Sequence, residues 1–423
     1  MKNETKESIQ KKTKTALEYV RAFFRWAALG LLVGVPGGAL GAAFSKSVAL
    51  ATTLRGENGW LIFLLPVGGL VIVWTYRLCR VSGIGTNEVF EAVRSEKSVP
   101  ILLAPAIFFG TALTHLLGGS AGREGAALQL GGSVATVFGK TFKLDEQDRN
   151  ILTMCGMAAL FSAVFGTPMG AVVFAVEVAS VGRLCSTALF PCVVSSGSAV
   201  LVARALGADG ERFAVGLVPE FAPDALWRVL IIAIAAAVVS MLFCWAMHTG
   251  AKLFQKAFSN EYIRVFAGGL LVIALTFALR TRDYNGGGMD VIERIFAEGI
   301  VRPEAFLLKI LFTAVTIGAG YKGGEIVPTL FIGATLGGAL SFLVGLSPAF
   351  GAAVGMAALF CGVTNCPLTT VLLSIELFGA DGALFYMLAA FVSFLFSGYF
   401  SLYSGQHIIF SKLRAEEINV RGH

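Results

Sequence analysis

The chain has 423 residues, 56% hydrophobic and 14% charged, with 50 glycines and a formal net charge of +6. A soluble domain carries about 25% charged residues, so a water-soluble globule is excluded and a polytopic α-helical membrane protein, packed through glycine, is indicated. The positive charge gathers at the ends, with Lys2, Lys6, Lys11, Lys12 and Lys14 before the first apolar segment and Lys412, Arg414 and Arg421 after the last; flanking a bilayer-length segment, it argues against nucleic acid as partner.

In chain order, residues 1–27 mix basic and apolar side chains at helical spacing and read as a cytoplasmic amphipathic segment on the membrane surface. No small-residue cleavage site follows, and Gly30–Leu54 is too long for the apolar region of a signal peptide. Apolar stretches then fall at 28–54, 59–76, 100–118, 150–180, 184–206, 226–248, 263–279, 304–319, 328–350, 352–378 and 382–403, several exceeding the ~20 residues that span a bilayer. Basic residues at both ends predict cytoplasmic termini and an even number of crossings, in a plasma or inner membrane. Glycine and proline interrupt the stretches at Gly131-Gly132, Gly166-Thr167-Pro168 and Asn365-Cys366-Pro367. Backbone groups freed by such breaks are tolerated in a membrane only where protein or a water-filled cavity satisfies them. The seven cysteines form no CxxC pair and the four histidines are isolated, so neither a metal site nor a cofactor is expected.

The string Gly-Met-Ala-Ala-Leu-Phe occurs at Gly156–Phe161 and again at Gly355–Phe360; at the same offset of 199, Pro168 meets Pro367 and Glu177 meets Glu376. Upstream, at offset 202, Gly122-Arg123-Glu124-Gly125 and Gly131 meet Gly324-Glu325-Ile326-Val327 and Gly333. This is an internal duplication, of a kind that in transporters places the site at the interface between repeats, with inverted topology the commoner arrangement. We divide the chain into the segment 1–27, a first transmembrane repeat over 28–205, a connecting segment 206–227, a second repeat over 228–404 and a cytoplasmic tail 405–423. Glu177 and Glu376 read as braces at helix ends.

Gly118–Gly125 is a glycine-rich turn leading into an apolar helix from about Ala126. Unpaired N–H groups and the positive end of the helix dipole make an anion site there without a cationic side chain. Glu124 is a carboxylate placed where an anion would bind; its own charge can fill the site and protonation can release it, which makes a gate and a proton carrier. No Lys-Ser/Thr follows the glycines, which excludes a nucleotide P-loop. A structural pairing of Arg123 with Glu124 remains open, although adjacent helical residues point in different directions.

Gly122-Arg123-Glu124-Gly125-Ala126 resembles the G-[KR]-E-G-P motif of the CLC family of anion channels and proton-coupled exchangers, and the similarity continues through Gln129-Leu130-Gly131-Gly132. Gly324-Glu325-Ile326-Val327-Pro328 resembles the family's G-x-F-x-P motif, and Leu402-Tyr403-Ser404 its pore tyrosine. The resemblance implies an all-α fold with an internal inverted repeat of broken, tilted helices, a homodimer, and an anion site formed by Ile84, Gly85, Thr86, Asn87, Glu325, Ile326, Val327 and Tyr403, with Glu124 as gate. Tyr399 competes with Tyr403 for the pore position.

Three departures from the family pattern carry information. The first motif, G-S-G-I-P in chloride-handling members, aligns with Gly83-Ile84-Gly85-Thr86-Asn87, which puts Ile84 at the serine; a register two residues earlier would use Ser82. Val178 follows Glu177 where the family's inner proton glutamate would stand. Glu325 occupies a position that is apolar in chloride members. Together these resemble the bacterial fluoride-exporting branch. Fluoride is small and strongly hydrated, and a protonated Glu325 beside backbone N–H groups would supply the strong donors it needs; Glu325 as an ordinary acid at a helix N-terminus is the alternative. The expected function is therefore proton-coupled antiport exporting fluoride, with fluoride, protons and the lipid bilayer as partners. A chloride-selective CLC channel or exchanger is the first alternative. An intramembrane enzyme is the less favoured one, because no nucleophile–base pair is present.

Overall fold

The computed structural model describes residues 2–95 and 97–422, with side chains from residue 16 onward; the side chains of Lys2, Lys6, Lys11, Lys12 and Lys14 lie outside the described residues. In the amino-terminal half, α1 (Lys2–Glu57) passes through a 3-10 turn at Gly59–Leu64 into α2 (Leu65–Leu78). Then follow α3 (Thr86–Ala92), α4 (Leu103–Leu117), α5 (Glu124–Thr141), α6 (Glu146–Phe165), α7 (Pro168–Glu177), the short strand β1 (Ser180–Val181) and α8 (Ser186–Ala205). The carboxy-terminal half repeats the series as α9 (Pro223–Ala257), α10 (Glu261–Leu279), α11 (Met289–Glu298), α12 (Ala305–Ala319), α13 (Ile326–Val344), α14 (Pro348–Thr364), α15 (Pro367–Phe378) and α16 (Ala383–Phe396). The chain closes in strands β2 (His407–Phe410) and β3 (Glu417–Arg421).

The chain departs from the apolar stretches at several points. Helix α1 continues unbroken through residue 27. Residues 150–180 and 352–378 are each divided at the Gly-Thr-Pro and Asn-Cys-Pro breaks, and 328–350 runs past a further break before Pro348. Gly166 and Asn365, at offset 199, end α6 and α14 with φ of +78° and +57°. That left-handed conformation is open to glycine and, among the other residues, favours asparagine. Pro168 and Pro367 then start the next helices, where a missing N–H costs nothing. Gly131-Gly132, in contrast, interrupt nothing: they lie inside α5, where a side chain on Gly131 would strike the backbone of Gly156 in α6. Gly333 and Gly355 repeat the contact between α13 and α14. The duplicated hexamer is therefore packing, buried at the centre of each half, where small residues let helix backbones touch.

The halves meet through equivalent elements, α2 against α10, α5 against α13 and α7 against α15. At the centre, Gly122 N–H donates to Gly324 O at 2.6 Å and Gly324 N–H donates to Gly122 O at 2.7 Å, an antiparallel bridge between residues at offset 202. Reciprocal bonds between equivalent residues mark a pseudo-two-fold axis and an inverted repeat. The repeated glutamates obey the same symmetry. Glu177 accepts from Leu368 N–H (3.2 Å), Thr369 N–H (2.9 Å) and the Thr369 hydroxyl (2.6 Å), and Glu376 accepts from Met169 N–H (2.9 Å) and Gly170 N–H (2.8 Å). Each thus caps its counterpart's helix in the other half and fills donors that a helix N-terminus leaves open.

Among the described residues, six helices are long and apolar enough to cross a membrane. The most apolar window of α13 is 78% buried and that of α10 28% buried, so α13 is interior and α10 lines the outside, where Trp74, Val238 and Trp245 are also exposed. The fold is all-α apart from a small sheet. The tail is more than a terminal extension, because β2 pairs in parallel with β1 and antiparallel with β3.

Candidate anion pathway

The central bridge brings the N-termini of α5 and α13 back to back. Helix α4 ends in Gly118 at φ +88°, and the turn is pinned to the other half by Ser120, whose N–H donates to the Thr316 hydroxyl at 3.0 Å. Helix α5 begins at Glu124, two residues before the expected start. Glu124 is 1% exposed. Its Oε2 accepts the Arg123 N–H at 3.1 Å and its Oε1 accepts from Arg123 Nε at 3.4 Å. The two neighbours therefore do pair, against expectation, because Arg123 is the N-cap and still outside the helix, free of the divergence that separates consecutive helical side chains. The carboxylate thus lies at the N-terminus of its own helix.

Glu325 occupies the N-cap position of α13 on the other side of the bridge, without a side-chain bond to the helix. A Cβ built on Gly125 would lie 3.2 Å from Glu325 Oε2 and 3.7 Å from Thr86 Oγ1, which sets the second glutamate and the start of α3 around the first turn of α5. Gln129 Nε2 donates to Thr86 Oγ1 at 3.1 Å. Three polar atoms here are buried without a hydrogen-bond partner among the described residues: Glu325 Oε2, Gln129 Oε1 and the Tyr403 hydroxyl. Buried polar atoms are normally paired, which marks this group as the candidate site.

The remaining expected residues divide. Tyr403 is 2% exposed, its ring set edge-on against Phe90 with centroids 5.0 Å apart. Tyr399 instead bonds the hydroxyl of Ser411 in the tail at 3.2 Å. Ile326 and Val327 are buried. Gly85 offers no free donor, because its N–H donates to Glu88 Oε2 at 2.7 Å. The Asn87 side chain turns away to the tail: Nδ2 donates to Ser404 Oγ at 3.0 Å and Oδ1 accepts from Gly405 N–H at 2.8 Å. Ile84 is half-buried in the turn before α3, and Ser82 is exposed.

Two cavities approach the centre. The larger, about 510 Å³, is lined by Arg55, His115, Gly122, Arg123, Glu211 and Val327 among others; the smaller, about 220 Å³, by Tyr76, Ser82, Gln255, Arg264, Ile317 and Lys322 among others. His115 and Ile317 stand at offset 202 and Arg55 and Gln255 at offset 200, so the cavities are counterparts under the repeat, related by the pseudo-two-fold axis. Each carries charge of both signs, with Arg55, Arg123 and Arg282 beside Glu211, Asp283 and Asp290 in the larger, and Arg264 and Lys322 beside Glu261 in the smaller.

Sequence reasoning missed Glu211, Lys322 and Lys309, and named Gln129 only as part of a motif. Lys309 is fully buried in α12, its Nζ donating to Gly286 O at 2.7 Å and Tyr284 O at 3.2 Å, which holds the loop beside the larger cavity. A lysine inside an apolar stretch is a signal the sequence did contain; Glu211 lies in a polar loop and gave none.

Residues 68–398 match the family model described as voltage gated chloride channel. The chain belongs to the CLC family. A chloride/fluoride channel protein of Pseudomonas syringae pv. tomato is 36% identical over 400 residues, covering 92% of this chain and 87% of the relative. An H+/Cl− exchange transporter of Vibrio cholerae is 26% identical over 380 residues, covering 82% and 81%. Among solved structures, a CLC-type fluoride/proton antiporter superposes with a TM-score of 0.88 at 30% identity, over 90% of this chain and 98% of that one. A slow cyanobacterial Cl−/H+ antiporter superposes at 0.75 and 23% identity, over 88% and 94%, a likeness of fold. The chain is thus a multi-pass CLC-family anion transporter.

Proposed function

We propose that this protein is a proton-coupled antiporter that exports fluoride. The observation that carries the reading is Glu325, a buried carboxyl group with an unpartnered oxygen beside Thr86 and the first turn of α5. Fluoride gives up strong water contacts on entering a protein and needs donors that match them. Protonated, Glu325 is a hydroxyl donor; the Tyr403 hydroxyl is a second, and the α5 and α13 N-termini add N–H groups. Glu124 serves as gate and proton carrier: ionised, it closes the site over its own helix; protonated, it swings clear, so one proton moves inward as fluoride moves outward. Val178 is buried and its carbonyl accepts from Gln406 at 2.8 Å, which leaves no carboxylate there for the inner proton route of chloride exchangers. The fluoride-related descriptions of the channel and antiporter relatives support the same choice. We further propose a homodimer with one pathway per subunit, both termini in the cytoplasm, residence in a bacterial inner or plasma membrane and no enzymatic activity.

The full-length protein in liposomes should release fluoride faster than chloride, and an imposed proton gradient should drive fluoride uphill. E124Q should uncouple the two ions, and E325L, which removes the acid hydroxyl and leaves no donor in its place, should lower the fluoride-to-chloride ratio by about tenfold, the effect of about 1.4 kcal/mol. Chloride release at an equal or greater rate by the wild type would overturn the fluoride reading in favour of a chloride channel or exchanger.

A further inference from the structure

The connecting segment between the repeats supplies a side chain to the gate. Arg123 Nη2 donates to Glu211 Oε1 at 2.8 Å while Arg123 Nε donates to Glu124 Oε1 at 3.4 Å. One guanidinium therefore bridges two carboxylates and lies closer to the one outside the helix. Side-chain exposure rises along the trio, from 1% for Glu124 to 15% for Arg123 and 25% for Glu211. Glu211 is held firmly: its N–H donates to Phe165 O at 3.2 Å, Gly210 packs against the backbone of Gly166, and Phe213 N–H donates to Leu377 O at 2.9 Å. The segment is thus fastened to α6 and α15 on either side of the glutamate.

We infer that Glu211 is a positioning residue of the gate: it holds Arg123 in place and offsets its charge, so that Glu124 can leave the guanidinium when protonated. The inference rests on the reading of Glu124 as the gate. With both carboxylates ionised the trio carries one negative charge, and protonation of Glu124 leaves a neutral Arg123–Glu211 pair at the floor of the larger cavity. Without the Glu211 charge, Arg123 and Glu124 form a neutral pair of their own. Protonating Glu124 would then strand a cation in a low-dielectric site, which is costly, and the gate would open less readily at a given pH. The other charged or titratable groups around the trio are Arg55 of α1, His115 of α4, Arg282 and Asp283 before α11, Asp290 and Glu293 within α11, Glu325 before α13 and Tyr403 after α16. None makes an ion pair with the three among the described residues, so Glu211 is the group that balances Arg123.

The test measures fluoride flux against pH for the full-length protein in liposomes. E211Q should move the pH of half-maximal flux lower by about half to one unit, equivalent to about three- to tenfold less flux at the wild-type midpoint. Added to E124Q, the same substitution should produce no shift, because the coupling runs through Glu124. An unchanged midpoint in E211Q overturns the inference, as does a shift of equal size in the E124Q background. E124Q keeping the wild-type profile would instead overturn the gate reading beneath it. Should E211Q not give monodisperse protein, E211S removes the same charge: a shift of the midpoint to lower pH supports the inference and a wild-type midpoint overturns it.

Discussion

Removing the Glu177 side chain tests the claim that the repeated glutamates brace the two halves and take no part in transport. Glu177 is 4% exposed and accepts three hydrogen bonds from the first turn of α15, whereas Glu376 is half-buried and accepts two from the first turn of α7. A hydrogen bond to a charged group is worth about 1.5–3 kcal/mol net, and the desolvation regained when a buried carboxylate is removed offsets part of the sum. E177A should therefore cost about 3–4 kcal/mol and E376A about 2 kcal/mol. With an unfolding entropy of about 2.1 cal/mol/K per residue, a chain of this length changes its Tm by roughly 1 °C per kcal/mol. The expected losses are about 3–4 °C and about 2 °C. E177Q, whose amide keeps one acceptor oxygen, should fall between E177A and the wild type. Thermal unfolding in detergent gives the Tm, and liposome flux gives the proton-to-anion ratio, which should not change. A wild-type Tm for E177A, or a larger loss in E376A, would refute the reciprocal-cap reasoning. A changed coupling ratio at wild-type Tm would put Glu177 on the proton route instead.

Two further outcomes follow from local geometry. Y403F removes a hydroxyl without a hydrogen-bond partner and keeps the edge-on contact with Phe90, so stability should stay within about 0.5 kcal/mol of the wild type while fluoride flux falls several-fold; unchanged flux would take Tyr403 off the pathway. A Cβ on Gly131 meets the backbone of Gly156, whereas one on Gly197 meets open space. G131A should thus destabilise by about 1–3 kcal/mol through overpacking and G197A should be neutral or slightly stabilising, a contrast read directly from the two melting curves.

The duplication made most of the architecture legible before any coordinates. Offsets of 199 and 202 located the helix breaks, because a chain that reverses at Gly166-Thr167-Pro168 must do so again at Asn365-Cys366-Pro367. Where periodic signals failed, the reason was physical. Gly131-Gly132 looks like a break in one dimension and is a backbone contact in three. Arg123 and Glu124 look divergent if both are helical and meet because one is not. Asn87 sits in a motif associated with anions, yet its side chain clasps Ser404 and Gly405, over three hundred residues away. Contacts of that range leave no local signature, and Glu211 was invisible for the same reason.

The side chains break the symmetry that the backbone keeps. A pathway that obeyed the two-fold axis in full would present the same chemistry to both sides of the membrane. The backbone does obey it, down to the Gly122–Gly324 bridge and the exchanged glutamate caps. At offset 202, however, Arg123 stands opposite Glu325, Glu124 opposite Ile326, and Lys309 opposite Ile107, while Glu211 belongs to neither repeat. One mouth is thus governed by a carboxylate–guanidinium–carboxylate trio. The other has Lys322, its Nζ 4.3 Å from the centre of the Tyr76 ring, ahead of a carboxyl oxygen left without a partner. The symmetric backbone brings helix N-termini to the centre from both halves; the side chains that break the symmetry make the two mouths chemically different.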